Sequence, residues 1–182
     1  MILRFIVENI LAAAAFITLG VIFCCAGEER LNKLEKLTRE RWSGMVMGWI
    51  ALALCVPHAE VVSPAFLIPL LWPLAAVIPV LCFFYIDYCM ARAFAGLVII
   101  YAYDLVHSVY ELKIPFAAVI TIAAWLIGIA GIWISGKPCA LRDWFRISAK
   151  KNKWKYFCAA CSFISGACAV YVLLTAVCKE LN

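Results

Sequence analysis

Asp104, His107, Ser108 and Glu111 stand at offsets of three, four and seven residues inside an otherwise apolar stretch. On a helix those offsets place all four along one stripe. An imidazole beside carboxylates can hand on a proton or bind a small polar solute. Counted from Arg92 at 1.5 Å per residue, Asp104 is expected about 18 Å into a hydrocarbon layer about 30 Å thick. A lone carboxylate at that depth costs roughly 2.5 kcal/mol or more, so it demands a partner, a proton or water. Tyr101 and Tyr103 lie within one turn on the deeper side and offer hydroxyls. The other histidine, His58, occurs in a separate segment with Glu60. The candidate ligand- or proton-binding set is therefore Asp104, His107, Glu111, His58 and Tyr101. Two histidines without an HExxH or another close ligand spacing specify no metal site, and no cofactor is identified.

The elements that must position these groups follow from composition. Of 182 residues 67% are hydrophobic and 15% charged, too little charge for a soluble domain of this length. The expected fold is all-α, a polytopic integral membrane helical bundle forming one membrane domain over residues 1–182. Apolar runs predict six transmembrane helices at 2–26, 43–57, 65–86, 91–111, 114–135 and 156–178. Two polar stretches, 28–41 and 139–152, read as interfacial amphipathic helices. In the first, Leu31, Leu34 and Leu37 recur at helical spacing, with Glu29–Lys33 and Glu35–Arg39 as i,i+4 pairs. In the second, Leu141, Trp144, Phe145 and Ser148 share a face opposed to Arg142, Arg146 and Lys150.

Several local features refine this outline. Gly44 and Gly48 form a GxxxG that lets another helix approach closely. Pro57 and Pro64 bracket a turn, which places His58 and Glu60 in a loop. Pro69, Pro73 and Pro79 predict a kinked third crossing whose freed carbonyls need neighbours. Asp87 and Arg92 are expected to pair at a membrane interface, and Arg4 and Glu8 to neutralise each other. Ser162, Ser165, Gly166 and Ala169 mark the last crossing as a packed interface.

Thirteen of the sixteen lysines and arginines fall in alternate loops, leaving Arg4, Lys113 and Lys179 on the opposite side. By the positive-inside rule both termini are extracytoplasmic and both surface helices cytoplasmic. Trp42, Trp133, Trp144 and Trp154 then line the inner interface. Cleavage after the first apolar run would put the positive majority on the wrong face, so that run is expected to stay. The net charge of +5 lies beside membrane ends, which implies contact with the lipid bilayer and its anionic headgroups rather than with nucleic acid. A membrane protein partner is a further expected contact.

Most of the ten cysteines sit in apolar runs and read as small packing residues. The Cys158-Ala-Ala-Cys161 pair resembles that of membrane oxidoreductases of the vitamin K epoxide reductase type, whose accompanying loop cysteines are not evident in this sequence. Asp87-Tyr-Cys-Met-Ala-Arg92 resembles part of the CDP-alcohol phosphotransferase motif. Its glycine is Tyr88 here and its later aspartates fall on apolar or aromatic positions, so no two-metal site results. In size and helix count the chain is similar to the small vitamin-binding subunits of energy-coupling transporters, with Ala12 to Ala15 matching their alanine-rich first helix. Those subunits are expected to keep their termini in the cytoplasm. The functional expectation is a small membrane protein that binds or passes a small solute or proton through an outward-facing polar site. The alternative is a non-catalytic membrane subunit or assembly factor packed against a larger complex. No nucleophile stands out, and an enzyme is the less favoured class.

Overall fold

The computed structural model describes residues 2–25 and 28–180, in which eight helices and no strand occur. In chain order they are α1 (Ile2–Cys25), α2 (Glu28–Leu37), α3 (Arg41–Val62), α4 (Ile68–Tyr85), α5 (Cys89–Glu111), α6 (Ala117–Gly136), α7 (Cys139–Lys150) and α8 (Asn152–Glu180). The all-α bundle expected from the sequence is what forms. Arg41–Val62, Ile68–Tyr85, Cys89–Glu111, Ala117–Gly136 and Asn152–Cys178 are long and apolar enough to cross a membrane, and Asn9–Cys25 is a shorter apolar stretch. Their outward surfaces carry Trp72, Ile122, Trp125, Ile132 and many other large apolar side chains. In water such a continuous surface would drive association; in lipid it is the appropriate one. The chain is a multi-pass membrane protein.

Pro57 does not end α3. The helix runs through it to Val62 and stops at Ser63, whose extended backbone precedes Pro64. Proline removes one backbone hydrogen bond, but a membrane span needs about 20 residues, and stopping at Pro57 would leave α3 too short. His58 and Glu60 therefore stand on a helix and not in the expected loop. At the other end of the chain α8 begins at Asn152, so Lys153 and Lys155 belong to it rather than to the surface stretch.

α3 and α5 run parallel with a register offset of about 46. A Cβ on Gly44 would strike the backbone nitrogen of Met90, and one on Gly96 would touch Ala51 at 4.0 Å. Gly48 faces elsewhere: its Cβ would lie 3.4 Å from Pro79 on α4. The GxxxG thus serves two neighbours within the chain. The Trp49 indole donates to the Ala76 carbonyl at 2.9 Å, next to Ala75, whose carbonyl Pro79 deprives of its helical donor. That contact ties α3 to α4 one residue past the freed carbonyl.

α1 and α8 pack antiparallel through small residues. A Cβ on Gly166 would come 2.9 Å from Ile17, and one on Gly20 3.0 Å from Phe163. α5 and α6 are antiparallel too, with Gly128 against Ala102 and Gly131 against Ile99. These directions bring the start of α1 and the end of α8 to one end of the bundle. The amphipathic α2 and α7 cover the opposite, basic end, where Arg146 donates to Glu35 at 2.6 Å. A core cluster of Phe23, Ala91, Ala95, Ile134, Leu141, Phe145 and Ala159 lies under them. A second cluster of Leu105, Val109, Ile114, Ile120, Ala124 and Val172 closes the far end.

Two expected ion pairs are replaced. Glu35 bonds Arg146 of α7, and Arg39 instead lies over the Tyr88 ring at 5.9 Å. Asp87 pairs with Arg41 at 3.3 Å, while Arg92 donates to the Ser135 carbonyl at 3.1 Å. The exposed Glu29–Lys33 pair forms as spaced, at 3.1 Å. The side chains of Arg4 and Glu8 fall outside the described residues.

Candidate functional site

The polar residues of α5 separate into two groups. Asp104 turns toward α3, where its Oδ1 lies 3.1 Å from His58 Nε2, with the two side chains 19% and 30% exposed. His107 pairs one turn on with Glu111, Nε2 to Oε1 3.0 Å, and both side chains are more than half exposed. Tyr103 stands between the groups: its ring meets His58 edge-on at 5.3 Å and stacks with His107 at 6.0 Å. Tyr103 therefore contributes a ring surface to a contact chain that leads from the α3–α5 seam to the exposed face of α5.

Tyr101 is not part of this group. It faces α1, its ring 5.6 Å from Phe16, and its buried hydroxyl has no hydrogen-bond partner among the described residues. A rotation of 100° per residue puts Tyr101 about 60° around α5 from Asp104, which suffices to send it to another neighbour. Asp104 does not pair with His107, although their spacing allows it, because the parallel register of α3 presents His58 at the same level. Seventeen residues separate Arg41 from His58 and Asp87 from Asp104, so the two interhelical polar contacts hold the seam at points about 25 Å apart. Among the described residues no group of three His, Cys, Asp or Glu side chains is placed to hold a metal ion.

A second feature carries no sequence signature. A cavity of about 540 Å³ lies between α6 and α8, bounded by Phe16, Phe23, Phe94, Ala130, Phe145 and Cys161 among others. Its volume is within the range of small-molecule sites, and its walls are almost wholly apolar. The few hydroxyls present are engaged: Ser162 and Ser165 donate to the Cys158 and Cys161 carbonyls one turn back, each at 2.9 Å. Leu126 on α6 and Ile164 on α8 line the cavity and are themselves exposed, so it opens sideways between those helices. Leu34 and Thr38 from the α2 segment and Leu141 and Trp144 from α7 form its floor at the basic end. Burial of Leu141, Phe145 and Ser148 fixes α7 in place, with Ser148 donating toward Cys158 Sγ at 3.7 Å. Among the described residues no disulfide joins any of the cysteines.

Comparison with known proteins finds no matching family model, no curated relative and no similar solved structure. The functional argument therefore rests on geometry and chemistry.

Proposed function

We propose that this multi-pass membrane protein binds one amphiphile of the bilayer, holding its apolar part in the cavity between α6 and α8. The observation that carries this reading is the cavity itself: about 540 Å³, apolar, and open sideways rather than toward an aqueous face. Water in such a space lacks the two to four polar partners it needs, whereas a hydrocarbon chain gains contact with every wall. Ala130 lines the cavity, and Ala130→Phe would direct a ring into it. Overlap of that kind costs a bound chain about 1–3 kcal/mol. Lipid retained through mild detergent purification, measured by mass spectrometry, is expected to fall roughly tenfold in this variant with thermal stability unchanged. Equal retention by both proteins would end the proposal.

A second reading keeps the polar site for a proton or small solute. It draws on the contact chain from Asp104 and His58 through Tyr103 to His107 and Glu111. Under it, Asp104→Asn and His107→Ala abolish proton or solute movement in proteoliposomes while the protein stays folded. The assembly-factor alternative draws on α4, which packs chiefly on α3 and leaves Trp72, Val77 and Phe84 exposed. Recovery only as an isolated monomer counts against it. The excess of lysine and arginine at the α2 and α7 end supports a cytoplasmic location for that end. Alkaline phosphatase joined to the C-terminus is accordingly expected to be active, and a cytosolic reporter there silent.

A further inference from the structure

The lining of the cavity extends along α8 from Trp154 to Ser165, eleven residues or about 16 Å of helix rise. That is about half of a hydrocarbon core roughly 30 Å thick, the depth of a single leaflet. Beyond this depth the helices close on one another through Ile120 and Val172. The cavity thus matches the leaflet at the basic end and does not reach the other one.

Its rim at that end is aromatic and cationic. Trp144 and Trp154 both line it, and indole rings are at home at the headgroup level. Around Trp154 the chain reads Lys150-Lys151-Asn-Lys-Trp-Lys155, four cations in six residues, and no carboxylate occurs between Asp143 and Glu180. Three described carboxylates on the neighbouring surface helices have cationic partners of their own: Glu29 pairs with Lys33 at 3.1 Å. Glu35 accepts from Arg146 at 2.6 Å, and Asp143 accepts from Arg142 at 2.9 Å. The bond to Asp143 also pushes the Arg142 guanidinium above its already high ordinary value. Lys150, Lys151 and Lys153 are exposed beside Trp154, so the cluster presents positive charge next to the basic end of an apolar chain site.

We infer that the occupant is an anionic phospholipid of the basic-end leaflet, with one acyl chain in the cavity and its phosphate on Lys150, Lys151, Lys153 and Lys155 beside Trp154. This inference rests on the reading that the cavity holds an amphiphile, and adds the class of headgroup. A lysine ammonium is a compact charge suited to phosphate oxygens, and it repels the quaternary amine of a zwitterionic headgroup. Each lysine near an anionic lipid contributes roughly a fivefold gain in binding.

The test titrates the full detergent-purified chain with phosphatidylglycerol and with phosphatidylcholine of identical acyl chains, read by native mass spectrometry. Wild type is expected to take one phosphatidylglycerol with at least roughly tenfold preference. The preference should shrink as salt rises from 0.1 to 1 M and the screening length falls from about 10 to about 3 Å. Replacing all four lysines by glutamine is expected to level the two lipids while leaving weak binding of each. Ala130→Phe is expected to lose both. Equal binding of the two lipids by wild type, or a preference indifferent to salt, overturns the headgroup assignment and leaves the amphiphile reading intact. Absence of both lipids from wild type defeats both readings. A preference that survives in the glutamine variant overturns the assignment to these lysines.

Discussion

Gly44→Ala is expected to destabilise the bundle by about 3 kcal/mol, at the upper end of the usual cost of overpacking. The added Cβ would collide with the Met90 backbone nitrogen and lie 2.8 Å from the Cys89 carbonyl carbon. Neither atom belongs to a side chain that can swing aside, because both lie in the first turn of α5. Relief would require α3 and α5 to part, and the seam between them is clamped at both ends by Arg41–Asp87 and His58–Asp104. Gly48 is the control. Its Cβ would meet Pro79 at 3.4 Å, an ordinary contact, and alanine also favours the helix by about 1 kcal/mol. Thermal unfolding of the two detergent-solubilised variants separates these cases. A Gly44→Ala protein as stable as wild type would show that the α3–α5 approach is looser than described.

The second large effect belongs to His58 and Asp104. His58→Leu removes the imidazole partner of a carboxylate that is four-fifths buried between two helices, at an expected cost of about 2–3 kcal/mol. Asp104→Leu removes the charge and leaves the imidazole facing an apolar side chain, a smaller loss. The double variant, with leucine at both positions, is expected to recover most of the stability, because well-packed apolar residues commonly replace an ion pair at little cost. Denaturation of all four proteins yields the coupling energy directly. Its functional arm is as informative: a folded double variant that still moves protons or solute would eliminate the polar-site reading. By contrast, His107→Ala breaks an exposed i,i+4 pair, worth about 0.5 kcal/mol, and the stack with Tyr103.

Much of this architecture was legible in the chain. Apolar run length and helical periodicity are local properties, and they were enough to anticipate six apolar helices and two amphipathic ones. The face of α7 carrying Leu141, Phe145 and Ser148 is buried as its spacing required. Pro57 misled the reading because proline acts on one hydrogen bond, whereas the need to span lipid acts on the whole helix. The cavity could not be anticipated, since its wall is assembled from six elements and none of the residues is unusual by itself.

Local spacing determined partners only where no other helix intervenes. Glu29–Lys33 and His107–Glu111 formed as spaced, and all four side chains are more than half exposed. Wherever a neighbouring helix came close, the tertiary structure chose instead. Glu35 went to Arg146 rather than Arg39, Asp87 to Arg41 rather than Arg92, and Asp104 to His58 rather than His107. A helix offers a charged group few candidates along its own face, and packing adds candidates that remove it further from lipid or water. The sequence by itself determined which segments are helical, which are apolar and where positive charge collects. Only the packing of those helices decided which charges meet and where the bundle leaves space.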